Sequence, residues 1–403
     1  MNNRIVTAFQ NTVDFELIWD QEVIENFIRQ YNIRRSEIEC SRLIHSERDL
    51  VIVLLSHMVL GDGCECLADS SQITRAFASH FSYNVTLGGT GIRAAIAIEK
   101  IGYQSTTHAC SLNHHFRDLI PKNVRWVSSV PDEGEDFHPH VIVQYPGNVH
   151  IHAGDIDFTT KRPNRVIFAY DPPSENLKIS DDFIKEVTDA NVFLIASYNI
   201  IKETDILTDR LRSTIRLIQA LPAQHVVILE DGCFENPNMR QIVTRTLAPH
   251  IDIFSMNEDE LQDRLGRRID ILDPTEVADA LKTIHRQTGV PTLICHSSYW
   301  ALAYGKQTPA IKNALKSGIC MASTRFRLGN EYSKTDFDQT KALPCSPSGQ
   351  SFCKALSDQI PSDVLTCLPC KDLTFVKQPC TIGLGDSFVG GMLPEFLPDT
   401  CHI

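Results

Sequence analysis

The chain has 403 residues, of which 42% are hydrophobic and 22% charged, so it carries enough apolar material for a large folded core. Its formal net charge of −12 argues against a nucleic-acid-binding surface, which needs clustered Lys and Arg. No basic and apolar leader precedes the first strand-like run, and no apolar run approaches the length of a membrane span. We therefore expect a soluble, cytoplasmic protein without nucleic-acid or membrane partners.

Strand-like runs alternate with amphipathic helices along most of the chain. The run RIVTAF near the start, the run VIFAYD and the later runs HVVILED, IDIFSMN and PTLICHS are each followed or preceded by a helical pattern. This alternation predicts an α/β fold with a mainly parallel sheet flanked by helices. Ligands are then expected at the carboxyl ends of the strands.

Residues 104–164 have a different composition, rich in His, Asp, Pro and short β-like pieces. They predict a smaller β-rich layer, whose partner is the segment after Asp14, so that the layer is discontinuous in sequence. The expected division is a large domain of about 1–14, 61–103 and 165–403, and a lid of about 15–60 and 104–164.

The segment TIGLGD, residues 381–386, carries the most chemical information. A β-prone stretch turns through Gly383 and Gly385 and places Asp386 at the start of a small-residue helix. Glycines let a ligand approach the backbone closely, and the first N–H groups of a helix bind anions. Asp386 is then either a base that deprotonates an alcohol attacking a phosphoryl group, or an ordinary helix N-cap.

A second glycine cluster, Gly88-Gly89-Thr90-Gly91, lies between a strand-like run and a good helix. Its spacing does not match the dinucleotide-binding fingerprint GxGxxG, and no acidic residue ends a following strand at the expected distance. The cluster predicts instead that the backbone approaches a polar ligand closely.

Acidic residues follow several of the strand-like runs. Asn257 and Glu260 share one face of a first helical turn, where Asn257 could touch a phosphate and Glu260 could hold Mg²⁺ through water. The alternative is a capped helix with solvated acids. Glu230 is either a site residue or a helix-starting acid, and Asp14 either accepts sugar hydroxyls or starts a turn.

The thirteen cysteines are odd in number and scattered, which favours reduced thiols over a disulfide framework. The CxxC motif Cys367–Cys370 lacks a second CxxC or a nearby His pair, so we interpret it as inert. His150 and His152 alternate as strand residues do and share one face. Without a third ligand beside them, the pattern disfavours a metal site there.

Taken in order, these segments resemble the ADP-dependent sugar kinases, the glucokinase and phosphofructokinase family within the ribokinase superfamily. AFQNTVD is similar to the family's opening sugar-binding strand and carries Asp14 onto its hydroxyl-binding aspartate. GDGCE places Glu65 where glucose-using members have a glutamate, and LGGTGIRAA, with Gly88 and Gly89, is similar to the sugar loop. The resemblance implies a ribokinase-like fold with a smaller lid.

The later segments resemble the family's nucleotide and metal motifs. RPNRVIFAYD implies that Arg165 lies near the nucleotide phosphates, and LICHSSYWALAYG implies a nucleotide contact for His296. IDIFSMNEDEL implies Asn257 for the nucleotide and Glu260 for Mg²⁺. The resemblance assigns the remaining roles as follows: Gly383, Leu384 and Gly385 to the anion hole, Gly385 also to the nucleotide, Asp386 to the base, and Glu230, Glu260 and Asp386 to Mg²⁺.

The chain departs from the family pattern at several positions. Thr12 replaces the second Asn of the opening motif, Thr90 replaces the Gln of the sugar loop, and Ile228 replaces the His of the metal motif that ends at Glu230. The usual His before the NRVI segment is assigned to His150, in a loosely matching stretch. The acceptor pocket is therefore where we expect the chain to differ.

The expected function is an ADP-dependent hexose kinase that transfers the terminal phosphoryl of Mg-ADP to a sugar hydroxyl. Glucose is favoured, with glucose 6-phosphate and AMP as products, because Glu65 would repel a substrate phosphate. The alternatives are an ADP-dependent phosphofructokinase and an ATP-dependent ribokinase-like kinase. A sensor that binds sugar or nucleotide without turnover is the remaining hypothesis.

Overall fold

A computed structural model describes residues 4–134 and 136–398. Its strands, in chain order, are β1 (Arg4–Ala8), β2 (Thr12–Leu17), β3 (Cys64–Leu67), β4 (Tyr83–Gly88), β5 (Ser105–His108), β6 (Val124–Val127), β7 (His140–Tyr145), β8 (His150–Ala153), β9 (Ile156–Thr159), β10 (Asn164–Ala169), β11 (Ala190–Ile195), β12 (Val226–Glu230), β13 (Ile253–Asn257), β14 (Thr292–His296), β15 (Trp300–Gly305) and β16 (Leu365–Pro369).

The α-helices of the same residues are α1 (Gln21–Gln30), α2 (Glu47–Leu60), α3 (Ser71–Ala78), α4 (Thr90–Lys100), α5 (His114–Leu119), α6 (Pro172–Asn176), α7 (Phe183–Val187), α8 (Thr204–Gln219), α9 (Pro237–Leu247), α10 (Glu258–Leu265), α11 (Pro274–Thr288), α12 (Lys312–Leu328), α13 (Lys334–Lys341), α14 (Pro347–Ser357) and α15 (Leu384–Met392). None of these helices combines the length and the apolar character needed to cross a membrane.

The larger sheet of the described residues has nine strands in the order β16-β15-β14-β13-β12-β11-β1-β5-β6. Pairing is parallel from β14 to β6, while β15 and β16 pair antiparallel. Alternate residues of β11 pack on opposite faces, Val192 and Leu194 on one and Phe193 and Ile195 on the other. Both faces are covered by helices, so the predicted α/β class with a mainly parallel sheet is confirmed.

The smaller sheet has five strands in the order β3-β10-β7-β2-β4. Val13, Phe15 and Leu17 of β2 pack into a core shared with α1, α2 and α3, so the intervening Asp14 and Glu16 point to the opposite face. Helices cover the apolar face of this sheet. Its polar face is therefore free to form one wall of a cleft.

The strands divide between the two sheets differently from the expected domain boundaries. β3, β4 and β10 join the small sheet although they were expected in the large domain, and β5 and β6 join the large sheet although they were expected in the lid. Short strands of mixed composition carry no local signal of the sheet they will join, because partner choice depends on tertiary packing. β8 and β9 form a separate hairpin.

Candidate active site

The polar face of the small sheet lies against the loop that leads into α15. Gln144 of β7 accepts a hydrogen bond from the Thr381 N–H at 2.7 Å and donates one to the Pro379 carbonyl at 3.2 Å. Asp14 and His140 are paired in register on β2 and β7, as are Arg165 and Gln144 on β10 and β7. Strand register thus brings the polar residues of the small sheet to one wall of the cleft.

The first turn of α15 forms the opposite side of this contact. The chain arrives as an irregular loop rather than the expected β-like stretch, and Gly383 is the N-cap with φ 65°, a left-handed conformation that favours glycine. The N–H groups of Leu384, Gly385 and Asp386 belong to the first turn, where no helical carbonyl is available to them. Asp386 is therefore not the N-cap, and its carboxylate lies beside an anion-binding helix terminus.

Two buried arginines flank this turn. A Cβ added at Gly383 would lie 2.9 Å from Arg93 Nη1 and 3.3 Å from Arg325 Nε, so only glycine fits. Arg325 Nε donates to the Ile382 carbonyl and thereby holds the turn from helix α12. These two positive charges would favour an anion at the turn.

Arg93 on α4 connects the carboxylates of the cleft. Its Nη2 lies 2.6 Å from Asp14 Oδ2 and 3.1 Å from Glu16 Oε1, and its Nε lies 3.9 Å from Asp386 Oδ2. Burial alone would lower the pKa of Arg93, but Asp14, Glu16 and Asp386 raise it. The sequence analysis missed this residue, although an arginine inside the apolar helix GIRAAIAI is a usable signal.

Asp14 is buried and held by its neighbours. Thr12 Oγ1 donates to Asp14 Oδ1 at 2.6 Å, so the residue that departs from the family motif supports the aspartate. A Cβ at Gly88 would lie 2.2 Å from Asp14 Oδ2, and one at Gly89 would lie 2.5 Å from the Gln10 carbonyl oxygen. The two glycines of the predicted sugar loop therefore make room for protein groups at the cleft.

Glu230 ends β12 at the carboxyl edge of the large sheet. Burial, together with the charges of Asp386 and Asp231, raises the pKa of Glu230 to about 8. His296 Nε2 lies 3.6 Å from Glu230 Oε1, and both Glu230 Oε2 and His296 Nε2 are buried without a hydrogen-bond partner. Orphaned polar atoms of this kind point to a group that completes the site.

Asn257 and Glu260 form the capping box at the start of α10. The Asn257 N–H donates to Glu260 Oε2 at 2.8 Å, while Asn257 Oδ1 accepts from the Glu260 N–H at 2.9 Å. Burial, Asp231 and Glu230 raise the pKa of Glu260 well above its ordinary value. Asn257 and Glu260 thus cap the helix, as the alternative interpretation of the sequence predicted. Glu260 is nevertheless near the carboxylates of Glu230 and Asp231.

The charges of Asp386 and Asp231 raise the pKa of Glu230, and those of Asp231 and Glu230 raise the pKa of Glu260. Arg264 donates to Asp231 at 2.8 Å. An oxygen-rich group with an unpartnered buried carboxylate oxygen fits Mg²⁺, which prefers carboxylates and keeps several waters. Glu230 and Glu260 are the residues that would hold the ion, and the charge of Asp386 acts on Glu230.

His296 lies next to the anion-binding turn. It ends β14, its ring stands 4.3 Å from that of Phe388, and a Cβ at Gly385 would lie 3.7 Å from His296 Cε1. Burial lowers the pKa of His296 to about 4, so the ring is neutral at physiological pH. The structure thus brings together four residues of the predicted nucleotide and metal set, His296, Gly385, Glu230 and Asp386.

Glu65 lies on β3 at the far side of the cleft, 3.8 Å from His140 Nδ1. Burial would lower the pKa of His140, but the hydrogen bond from its Nε2 to Asp171, at 3.1 Å, and the nearby carboxylates raise it to about 9. Glu65 also lines a cleft of about 240 Å³ with Asn199 and Lys202. Arg165 is close enough for its charge to lower the pKa of Glu65, which burial raises.

His150 is not brought to the cleft. It lies on the β8–β9 hairpin with 58% of its side chain exposed, and its Nε2 lies 2.9 Å from Asp157 Oδ1. The structure therefore places His150 apart from the other residues that the sequence predicted for substrate binding. His140, which the sequence analysis did not name, is the histidine that the structure places beside Glu65.

Comparisons with known proteins identify the family and the fold. Residues 3–388 match the model described as the ADP-specific phosphofructokinase/glucokinase conserved region. A phosphofructokinase from Pyrococcus horikoshii OT3, solved with AMP, is 17% identical with a TM-score of 0.70, covering 98% of each chain. An ADP-dependent kinase in complex with fructose-6-phosphate and ADPβS is 12% identical with a TM-score of 0.77, covering 97% of this chain and 93% of that one.

A further similar structure is the last common ancestor of ADP-dependent phosphofructokinases from Methanosarcinales, at 15% identity and a TM-score of 0.70, covering 98% of this chain and 93% of that one. No curated protein sequence matches the chain at a significant level. The family match spans nearly the whole sequence, and the solved structures share its fold. The chain belongs to the ADP-specific phosphofructokinase/glucokinase family.

Proposed function

We propose that the protein transfers the terminal phosphoryl group of ADP to a hydroxyl of a hexose, with glucose as the favoured acceptor. The observation that carries this proposal is the position of Asp386. It lies in the first turn of α15, 3.9 Å from Arg93, which in turn holds Asp14 on the opposite wall of the cleft. A base, an anion-binding helix terminus and hydroxyl-binding carboxylates are thus adjacent.

Each group has a role that follows from its chemistry. Asp386 accepts the proton of the attacking hydroxyl, and Asp14 accepts hydrogen bonds from sugar hydroxyls. The N–H groups of the α15 terminus stabilise negative charge on the transferred phosphoryl, and His296 contacts the nucleotide as a neutral ring. When bound by Glu230 and Glu260, Mg²⁺ would offset the charge of the phosphates.

Glucose is the favoured acceptor because Glu65 on the acceptor wall, unlike Asp14 and Glu16, is not ion-paired with Arg93. Glu65, Asp14 and Glu16 lie on the small sheet, and a phosphate placed beside Glu65 would meet a like charge. Fructose 6-phosphate is the second candidate. Two observations favour it. Arg165 carries a positive charge near enough to Glu65 to lower its pKa, and a similar kinase was solved with that sugar phosphate.

The deciding experiment crosses ADP and ATP with glucose, fructose 6-phosphate and ribose in the presence of Mg²⁺, and measures sugar phosphate together with AMP or ADP. We expect the highest kcat/KM with ADP and glucose. Faster transfer from ATP would support a ribokinase-like kinase instead, and preference for fructose 6-phosphate would reassign the acceptor. Binding by calorimetry without turnover across the panel would support a sensor.

A Glu65→Gln variant sharpens the acceptor assignment, because it removes the negative charge and keeps the side-chain volume. We expect it to lower kcat/KM for glucose and to raise the ratio of fructose 6-phosphate to glucose turnover. Lys202→Met, on the same cleft but opposite in charge, is the matched control and should not raise that ratio. An unchanged ratio in Glu65→Gln would remove Glu65 from acceptor selection.

A further inference from the structure

We propose that His57, Cys64 and Cys66 form a zinc site that is separate from the candidate Mg²⁺ site. The imidazole and the two thiols offer ligand atoms that all lie within 4.8 Å of one another, and His57 Nε2 is 3.7 Å from Cys66 Sγ. Histidine nitrogen and cysteine sulfur are the ligands that Zn²⁺ takes in structural sites, whereas Mg²⁺ takes oxygen.

Local structure explains why the three ligands meet. His57 lies in the last turn of α2, which ends at Leu60 with Gly61 in the left-handed conformation at φ 77°. The chain turns back within three residues into β3, where Cys64 and Cys66 alternate with Glu65. Strand alternation puts both thiols on one face, towards α2, and Glu65 on the other.

A second feature marks His57 as a metal ligand. Asp62 Oδ1 lies 2.7 Å from His57 Nδ1, which directs the Nε2 atom towards the thiols. Metal-bound histidines usually donate their other N–H to a carboxylate or carbonyl in this way. The backbone carbonyl of Asp62 also accepts a 2.6 Å hydrogen bond from the Tyr145 hydroxyl, so the aspartate is itself held in place.

The charges of such a site balance. Two thiolates neutralise the charge of Zn²⁺, and the neutral imidazole adds none, so the ion can be held at this largely buried position without a net charge. Cys40 lies nearby, where its Sγ accepts a 3.0 Å hydrogen bond from Ser56, the residue before His57.

The site would tie the end of α2 to the edge strand that presents Glu65. The turn between them is tight, since a Cβ at Gly63 would lie 2.6 Å from Asn164 Oδ1 and 2.7 Å from the Arg165 carbonyl oxygen. Zinc would therefore act on stability and on the position of Glu65, and would take no part in phosphoryl transfer. Acceptor KM should respond to zinc removal more than nucleotide Kd.

A second cluster of potential ligands in the chain serves as a control for adventitious metal binding. The ligand atoms of His150, His152 and Asp157 also lie within 4.8 Å of one another, but these side chains are 58%, 65% and 58% exposed. This cluster contains no thiol. A His152→Ala variant therefore removes a surface metal cluster without touching the proposed zinc site.

The test uses the full chain with any affinity tag removed, expressed in zinc-supplemented medium and desalted against a weak chelator. We expect about one zinc per chain by elemental analysis in the wild type and in His152→Ala, and loss of that zinc in the Cys64→Ser/Cys66→Ser double variant. Zinc content that falls in His152→Ala but persists in the double variant would overturn the proposal, as would a metal-free wild type.

Two measurements on the wild type keep the test valid if the double variant fails to fold. Replacement of zinc by Co²⁺ should produce a thiolate-to-cobalt charge-transfer band and tetrahedral ligand-field absorption. Alkylation followed by mass spectrometry should show Cys64 and Cys66 protected with zinc and reactive after strong chelation. Equal alkylation with and without zinc, or a Cys64–Cys66 disulfide whose reduction restores no zinc binding, would overturn the assignment.

Discussion

The Arg93 guanidinium stands 3.9 Å from the Asp386 carboxylate, Nε to Oδ2, while the same side chain is bonded to Asp14 at 2.6 Å. One arginine thus joins the helix that carries the candidate base to the strand that carries the candidate hydroxyl-binding aspartate. A fork with several donors can contact both groups at once, which a lysine ammonium cannot do in the same geometry.

The first prediction concerns this arginine. Arg93→Lys keeps one positive charge near Asp14 but loses the contact to Asp386, and misplacement of catalytic groups can lower turnover by about 100-fold. We expect kcat to fall by at least tenfold, roughly 1.4 kcal/mol in barrier height, while circular dichroism shows a folded protein. Wild-type kcat in Arg93→Lys would remove it from the positioning role.

The second prediction concerns the base. Asp386→Asn cannot accept the hydroxyl proton, and general-base catalysis contributes about 10²–10⁴-fold, so kcat should fall by that factor. ADP affinity by calorimetry should change little in comparison. Asp358→Asn, at the exposed carboxyl end of α14, is the matched control and should keep full activity. Near-normal turnover in Asp386→Asn would reject the assignment.

The third prediction is a pH dependence. Because the pKa of Glu230 is raised from 4.5 to about 8, its contribution to stability is fully present below pH 4.5 and is lost as pH rises through 8. Each pKa unit is worth about 1.36 kcal/mol, so Glu230→Gln should be more stable than the metal-free wild type at pH 9 by a few kcal/mol.

Urea unfolding in the presence of chelator at pH 5 and pH 9 measures this difference. Titrating groups away from this carboxylate cluster, including His140, are common to both proteins and cancel in the comparison. Loss of the Glu230 charge also lowers the pKa of Glu260, which adds to the expected difference at pH 9. A stability difference that is the same at both pH values would contradict the raised pKa. The same variant should lose Mg²⁺-dependent activity, since it removes a carboxylate from the proposed metal set.

The fourth prediction tests whether a ligand approaches the α15 backbone. A Cβ at Gly385 would meet only His296 Cε1, at an ordinary 3.7 Å, and alanine favours a helix, so Gly385→Ala should fold with an unchanged or higher Tm. We expect ADP binding to weaken by at least tenfold, about 1.4 kcal/mol, because the methyl group would occupy space needed by phosphate. Unchanged ADP affinity would move the phosphate away from this turn.

The fifth prediction separates two histidines. His140→Gln removes a charged hydrogen-bonding group beside Glu65, worth about 1.5–3 kcal/mol, so the acceptor KM should rise by roughly tenfold to a hundredfold. His150→Ala removes an exposed side chain on the β8–β9 hairpin and should leave acceptor KM unchanged. The opposite pattern would restore the His150 assignment.

Much of the fold and of the candidate site could be predicted from local patterns. Alternating strand-like and helical runs predicted the α/β class, and the glycines before Asp386 predicted a helix terminus suited to an anion. Such features depend on periodicity and turn chemistry within a few neighbouring residues. Glu230 was also singled out at the end of a buried strand, and Glu260 in the first helical turn after another.

The sequence by itself thus determined the fold class, the glycine turn before a helix terminus and the acidic residues at or near the strand ends. Only the tertiary structure decided that Arg93 meets Asp14, 79 residues away in sequence, and that His140 rather than His150 lies beside Glu65. It also decided which short strands join each sheet. The physical reason is that strand pairing and side-chain burial depend on distant partners, whereas periodicity and glycine turns are properties of adjacent residues.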